Sequence, residues 1–193
     1  MRRSIVVAVA ASLLWLVALP AHAAVSVTVT EFRFSPATIT VPQGEDVAWH
    51  NGGHQQHTST QTGALALWNT GRIAVGATSG SVRFLAAGSY AYHCTIHTFM
   101  HGTVRVPIIV SPLRGTRRTT FTIRLASATQ AGFTYDVQRR IGTGAWTTWR
   151  VGVASTTVRF KHGKGTFAFR SRLRRTSNGA TSGWSLPRAI TIR

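Results

Sequence analysis

Short apolar runs separated by turn residues extend over most of this sequence, and this feature constrains the fold more than any other. The runs are rich in Val, Thr, Ile, Phe and Tyr, and clusters of Gly, Pro, Ser and Asn divide them. Such a pattern is typical of β-strands joined by tight turns. Beyond the first 23 residues, no apolar pattern of helical period extends over a useful length. The sequence therefore predicts an all-β protein.

Six of these runs lie in the first half of the chain and favour a sandwich of two sheets. The predicted strands are 25–30, 38–41, 46–50, 81–85, 89–93 and 103–110. Pro112 and Gly115 follow, and because such residues interrupt strands, we predict a linker over 112–119. The strand pattern then resumes, so residues 120–193 are predicted to form a second, smaller β-sandwich.

Charge divides the chain at the same place. The formal net charge is +18, and sixteen of the 22 Lys and Arg residues lie in 112–193, where Asp136 is the one acidic residue. Residues 24–111 are close to neutral and contain six of the eight histidines. Two compositions in one chain favour two domains, 24–111 and 120–193, with different partners.

The N-terminal residues 1–23 have the pattern of an export signal. Arg2 and Arg3 precede an apolar run over 5–19, and the small residues of Ala21-His22-Ala23 resemble a cleavage site. The run is short for a membrane span, and an uncleaved N-terminal anchor is the alternative. We therefore expect an exported protein that is periplasmic, attached to the cell surface or secreted.

Cys94 is the one cysteine of the chain, so it cannot form an internal disulfide. An unpaired cysteine in an oxidising compartment is expected to be buried or occupied as a ligand. His97 and Met100 follow it within one predicted turn, and a thiolate with a thioether selects a soft metal ion, copper above the others. A second imidazole must come from elsewhere in the fold, and His57 is the best candidate.

The segments around these residues resemble those of the cupredoxins, and among them the amicyanin and plastocyanin type. The resemblance covers about residues 25 to 111 and is carried by Phe34-Ser-Pro36, Ile39-Thr-Val41, Gly44, Val47-Ala-Trp49-His-Asn51, His57-Thr58, Phe84, Gly88, Tyr90, Tyr92 and Cys94-x-x-His97-x-x-Met100-x-Gly102. It implies a Greek-key β-sandwich that carries electrons and performs no bond-making chemistry, so we expect no enzyme activity.

The same resemblance implies a ligand set. Cys94, His57 and His97 would be the equatorial ligands of one type 1 copper ion, and Met100 the weak axial ligand. A redox partner would dock at the exposed edge of His97. Thr58 and Asn51 are expected to form hydrogen bonds across the ligand loops.

Three alternatives remain open at this point. Zinc would be bound by Cys94, His97, His57 and His101. His101 would also compete with Met100 as axial ligand, and Met100 could be ordinary core filling.

The ligand loop departs from the family, which often has proline where this chain has Ile96. His93 precedes Cys94 in a strand and should point to the opposite face.

The second half resembles a fibronectin type III domain of the immunoglobulin-like sandwich class. The resemblance is carried by Tyr135-Asp-Val-Gln138, Trp146-Thr-Thr-Trp149, Phe169-Arg-Ser-Arg172, Asn178-Gly179 and Gly183-Trp184-Ser185.

The positive charge of this second half suits anionic cell-surface polymers or lipid headgroups, and the export signal argues against nucleic acid. A solvated spacer is the alternative. Arg170, Arg172, Arg174 and Arg175 are predicted mostly to share one strand face.

The sequence therefore predicts an exported blue-copper electron carrier with a basic accessory module. A copper buffer or delivery protein would use the same ligands without a dedicated redox partner. A structural cell-surface protein without a redox role is the third hypothesis.

Overall fold

The computed structural model describes residues 24–193, and the predicted signal peptide, 1–23, lies outside the described residues. The described part forms sixteen β-strands and contains no helix, so the prediction of an all-β protein is confirmed. Accordingly, none of its segments is a helix long and apolar enough to cross a membrane. The signal peptide stays a prediction.

The first eight strands form two sheets of four strands each. They are β1 Val25–Thr30, β2 Arg33–Ser35, β3 Thr38–Thr40, β4 Glu45–Asn51, β5 Thr60–Gln61, β6 Val82–Phe84, β7 Gly88–His93 and β8 His101–Val106. The strand orders are β2-β1-β4-β6 and β3-β8-β7-β5. The pairs β1/β4 and β3/β8 are parallel and the other neighbours are antiparallel.

Alternating burial along the strands brings aromatic rings from both sheets into one core. Tyr92 of β7 meets Phe34 of β2 and Trp49 of β4, with ring centroids 4.7 and 5.3 Å apart. Its phenol also lies over Gly102 of β8, where a Cβ atom would come within 2.2 Å of the Tyr92 ring. The close approach of Tyr92 to the β8 backbone therefore requires glycine at position 102.

The remaining strands form a five-stranded and a three-stranded sheet. They are β9 Ile109–Ser111, β10 Arg114–Gly115, β11 Phe121–Arg124, β12 Phe133–Ile141, β13 Thr147–Val153, β14 Thr157–Phe160, β15 Gly165–Arg175 and β16 Arg188–Ile192, in the orders β10-β16-β15-β12-β13 and β14-β11-β9. Phe160 of β14 meets Phe167 and Phe169 of β15 at 5.1 and 4.9 Å, so the two sheets pack face to face. A fibronectin type III identity for this second sandwich stays a prediction.

The run 103–110, predicted as one strand, is divided between the two sandwiches. Strand β8 ends at Val106, and β9 begins at Ile109 and pairs with β11 of the second half. Pro107 lies between them, and because proline lacks an N–H group it cannot continue the hydrogen-bonded ladder. The second sandwich thus begins at Ile109, three residues before the predicted start of the linker.

The segment 112–119, predicted as a linker, contains strand β10. Arg114 and Gly115 pair in parallel with Thr191 and Ile192 of β16. The prediction that Pro112 and Gly115 exclude strand structure here was wrong, because an open sheet edge offers N–H and C=O groups to any chain that passes beside it. Such pairing does not need an apolar pattern in the added strand.

The two sandwiches contact each other through backbone and side-chain hydrogen bonds. The Gln43 amide donates to the carbonyl oxygens of Pro107 and Arg124, at 3.1 and 3.0 Å, and its oxygen accepts from the Arg124 guanidinium at 3.1 Å. Ser89 and Gly183 exchange two backbone hydrogen bonds of 2.9 Å. The buried apolar residues of both halves form one continuous cluster. The halves are therefore packed together over a shared interior.

Strand β15 carries much of the positive charge, but its arginines contact groups of this same chain. Arg172 and Arg174 form ion pairs of 2.9 and 2.7 Å with the buried Asp136. Burial raises the pKa of Asp136, and the hydrogen bonds from Arg174 and Arg172 outweigh this and lower it. Arg170 donates to Gln138, and Arg175 reaches in a different direction, to the Leu65 carbonyl oxygen. Arg170, Arg172 and Arg174 thus share one face of β15, as predicted, but Gln138 and Asp136 of the same chain engage them.

Candidate metal centre

Three of the four predicted ligands bring their donor atoms together. Cys94 directly follows β7, His97 lies in the loop between β7 and β8, and His57 lies between β4 and β5. The Cys94 Sγ lies 3.9 Å from the His57 Nδ1 and 3.8 Å from the His97 Nδ1, and the two Nδ1 atoms are 3.2 Å apart. The three residues form a group that could hold one metal ion.

These separations fit a single ion at the centre of the group. Bonds of about 2.0 Å to nitrogen and 2.3 Å to sulfur place neighbouring ligand atoms about 3.3–3.8 Å apart. The observed distances of 3.2 to 3.9 Å are close to this range. Cys94 and His57 are fully buried and His97 is half-buried, so the centre opens to the surface on the His97 side.

Two backbone hydrogen bonds close the loop that carries Cys94 and His97. The Cys94 N–H donates to the Met100 carbonyl oxygen at 3.1 Å, and the Met100 N–H donates to the His97 carbonyl oxygen at 2.9 Å. The loop therefore continues the β7/β8 pairing and then turns tightly. On the other side, His57 and Ile73 exchange two backbone hydrogen bonds of 3.3 and 2.7 Å, which fix the second ligand segment.

Met100 and His101 occupy opposite faces of the strand that follows the loop. Met100 is 1% exposed and lies directly opposite Cys94 across the loop, whereas His101 is exposed. The structure thus keeps His101 apart from the other three donors, and the zinc set that would include it is not assembled. Met100 as axial ligand remains a prediction that its burial beside Cys94 favours.

Thr58 connects the two ligand segments, as expected, whereas Asn51 stabilises the His57 segment alone. The Thr58 N–H donates to the Cys94 Sγ at 3.4 Å, and the Thr58 hydroxyl accepts from the Thr95 N–H at 2.7 Å. The buried Asn51 side chain donates to the carbonyl oxygens of Gln55 and Ile73, at 2.7 and 2.9 Å. The Thr58 bonds hold the His57 segment in register with the Cys94 loop, and the Asn51 bonds fix the fold of the His57 segment itself.

Glu31 is a residue of this site that the sequence reasoning missed. It lies in the turn between β1 and β2, and its carboxylate accepts from the N–H groups of His54 and Gln55. The Glu31 Oε1 lies 3.9 Å from the His57 Nε2, too long for a hydrogen bond but close for a charge contact. Desolvation raises the pKa of Glu31, and the backbone N–H donors outweigh it and keep the pKa low. A negative charge therefore faces the outer nitrogen of a ligand.

The environment also keeps His57 in its neutral, ligand form. Burial lowers the pKa of His57, and the neighbouring His97 lowers it further, whereas Glu31 opposes both effects. Metal ions bind the neutral imidazole, so a lowered pKa reduces competition from protons. The Nε2 of His57 is buried without a hydrogen-bond partner, which leaves Glu31 as its charged neighbour.

An apolar rim surrounds the exposed edge of His97. Phe32 stands edge-on to His97 with ring centroids 4.8 Å apart, and Phe99 lies 5.6 Å from Phe32. Phe32, Ile96 and Phe99 are 43%, 42% and 66% exposed. Ile96 and Phe99 belong to the ligand loop itself, and Phe32 comes from the β1–β2 turn. Exposed apolar residues grouped in this way are typical of an interaction surface.

The family model of the cupredoxin-like domain matches residues 4–106, which is more than half of the chain. The chain belongs to the cupredoxin-like family. A reduced, Cu(I) form of an amicyanin variant is 28% identical with a TM-score of 0.41, over 45% of this chain and 84% of that one. A purple cupredoxin from Nitrosopumilus maritimus is 21% identical with a TM-score of 0.40, over 42% of this chain and 98% of that one. No curated protein matches the chain.

The donor set also fits the metal that this family name implies. One thiolate and two imidazoles in a three-ligand arrangement, with a methionine nearby, form the set that suits copper in electron-transfer sites. His57, Cys94 and His97 supply these donors here, and Met100 is buried at the end of the same loop. The residues present therefore fit one copper ion.

Removing the negative charge beside His57 should weaken metal binding. We expect Glu31→Gln to lower Cu(II) affinity about 10-fold or more, because outer partners of metal-bound histidines contribute about 10–100-fold. The glutamine keeps an oxygen for the N–H groups of His54 and Gln55 but not the charge. Affinity is measured by competition with a chelator. Glu45→Gln, at the far end of β4, removes the same charge and should leave affinity unchanged; equal losses in both variants would contradict the assignment.

Proposed function

We propose that the protein is an exported one-electron carrier whose cupredoxin half holds one copper ion through His57, Cys94 and His97, with Met100 as weak axial ligand. The convergence of the Cys94 Sγ and the two histidine Nδ1 atoms within 4 Å of one another carries this proposal. When bound, copper supplies the couple between Cu(I) and Cu(II). The remaining features describe what the chain itself contributes.

The chain contributes a ligand cage that is held in place before any metal binds. The Cys94 and His57 side chains are fully buried, so water has little access to them. Thr58, Asn51 and the Met100 carbonyl oxygen fix both ligand segments by hydrogen bonds. Ligands fixed in this way keep one arrangement in both oxidation states, and a small reorganisation favours fast electron transfer.

The rim around His97 supports docking of a redox partner at that edge. His97 is the one donor of the three that reaches the surface, and Phe32, Ile96 and Phe99 surround it with exposed apolar area. A small patch of this kind suits the weak, short-lived complexes of electron-transfer proteins. An electron would then enter or leave through the His97 imidazole.

A copper buffer or delivery protein is the second candidate, because it would use the same ligands. The two functions differ in what they require. A carrier needs a stable Cu(II) form and fast exchange at the His97 edge, whereas a buffer needs only affinity. A structural surface protein without a redox role would need neither.

Electron self-exchange separates these functions. We expect rapid exchange in the wild-type protein and a fall of about tenfold or more in Phe99→Glu, because two charged rims repel one another when two molecules meet. The visible spectrum and reduction potential should change little. Val151→Glu introduces the same charge at a residue of similar exposure, 63% against 66%, in the second half, and should leave exchange unchanged. Slow exchange and an unstable Cu(II) form in the wild-type protein would instead indicate a buffer.

Export and surface attachment complete the proposal. The N-terminal pattern supports export. For attachment, a cleft in the second half is lined by Thr116, Arg117, Arg118, Gly163, Lys164 and Arg193. Among the described residues, the ion pairs of the basic half involve Arg172 and Arg174, not Arg117, Arg118 or Lys164. This cleft is therefore a better candidate for anionic polymers or lipid headgroups than strand β15.

Attachment by this cleft should depend on salt. We expect the protein to be retained on phosphocellulose at low ionic strength and released as salt screens the contact. Replacing Arg117, Arg118 and Lys164 together by Ser should lower the salt needed for elution. The matched control replaces Arg33, Arg72 and Arg105 by Ser, which removes the same charge from the first half. Equal shifts in both triple variants would show that net charge alone causes retention.

A further inference from the structure

Two histidines that the metal centre does not use face each other across strands β7 and β8. His93 is the last residue of β7, His101 is the first residue of β8, and the two are direct partners in the antiparallel register. The Cys94 N–H bonds to the Met100 carbonyl oxygen, so Cys94 and Met100 occupy a hydrogen-bonded position of the ladder through this one bond. His93 and His101, the adjoining pair, therefore occupy a position without ladder hydrogen bonds. At such positions the two opposing residues approach most closely, with their Cα atoms typically about 4.5 Å apart.

The two rings lie together on the outer face of the sheet. Their centroids are 6.4 Å apart at an interplanar angle of 44°, with His101 exposed and His93 half-buried. Cys94 and Met100, the next residue pair, point the other way into the core. The histidine pair thus lies outside the buried centre and shares no donor atom with it.

Thr62 orients one of the two rings. The Thr62 hydroxyl forms a hydrogen bond of 3.1 Å with the His93 Nδ1. This contact engages Nδ1 and leaves the His93 Nε2 to bind a metal ion. Histidines that bind metals usually have their second nitrogen engaged in this way, because the hydrogen bond fixes the ring and its tautomer. Within residues 24–193, neither ring forms a hydrogen bond or ion pair with a carboxylate.

We propose that His93 and His101 form a second metal site, at the surface, which takes one divalent transition-metal ion and prefers Cu(II). Two nitrogens bound at about 2.0–2.1 Å to one tetrahedral or tetragonal ion lie about 3 Å apart, so the rings must turn their Nε2 atoms toward one another. Exposed side chains make this movement by small torsional changes. Imidazole ligands favour Cu(II) over Zn(II) in the general order of affinities, and water completes the coordination.

The two sites differ in the oxidation state that they suit. The buried centre offers a thiolate and a thioether, which are soft donors, whereas the surface pair offers imidazole nitrogen and water. A Cu(II) ion at the surface site would therefore have no bond to a thiolate, whereas an ion at the buried centre would bind the Cys94 sulfur. It stands on its own geometry and does not require that the buried centre transfer electrons.

Cu(II) titration followed by electron paramagnetic resonance tests the surface site. The purified protein, without a histidine tag, should bind two equivalents, one of them with the spectrum of a tetragonal nitrogen and oxygen site. His93→Ala, His101→Ala and the double variant should each lose that component, with affinity for this equivalent falling at least 10-fold. His54→Ala, which removes another exposed imidazole, is the matched control and should keep it.

The outcomes separate the two sites. A tetragonal component that persists in the double variant, or a wild-type protein that binds no ion with this spectrum, overturns the surface site. If the wild-type protein binds one ion with only the tetragonal spectrum and the double variant binds none, the surface site is supported and the proposed buried copper centre fails. If the double variant keeps the buried-site spectrum alone, both proposals are supported.

Discussion

The pairing of Cys94 with Met100 across the loop between β7 and β8 determines how the metal-binding region is built. One backbone hydrogen bond between them continues the strand ladder beyond His93. Because side chains alternate along paired strands, Cys94 and Met100 must then face the core, and His93 and His101 must face solvent. His97, at the turn, is left at the rim. The buried centre and the surface pair follow from the same register.

Much of the centre could be predicted from the sequence because its residues are local. Cys94, His97 and Met100 lie in one turn, and their spacing indicates a shared site without knowledge of the fold. The sequence left His101 open as a ligand, because its placement outside depends on the pairing of Cys94 with Met100. His57 needed the family resemblance, since no local spacing connects it to the turn.

Glu31 and Phe32 could not be predicted in this way. They lie in a short turn between β1 and β2, and nothing in that segment shows that the turn passes over His57 and His97. Strand β10 was missed for a related reason, because its pairing depends on the open edge of β16 and not on its own residues. The shared face of the β15 arginines could be predicted, but the sequence does not show that Arg172 and Arg174 share the buried Asp136. In each case a partner distant along the chain decides the structure.

The visible spectrum after addition of Cu(II) tests the central claim most directly, because it reports a bond between copper and the Cys94 sulfur. The account predicts one intense thiolate-to-copper band at one equivalent of metal. The band should disappear in Cys94→Ser while Cu(II) still binds at His93 and His101. Absence of the band in the wild-type protein, or its persistence in Cys94→Ser, would contradict a copper centre built on His57, Cys94 and His97.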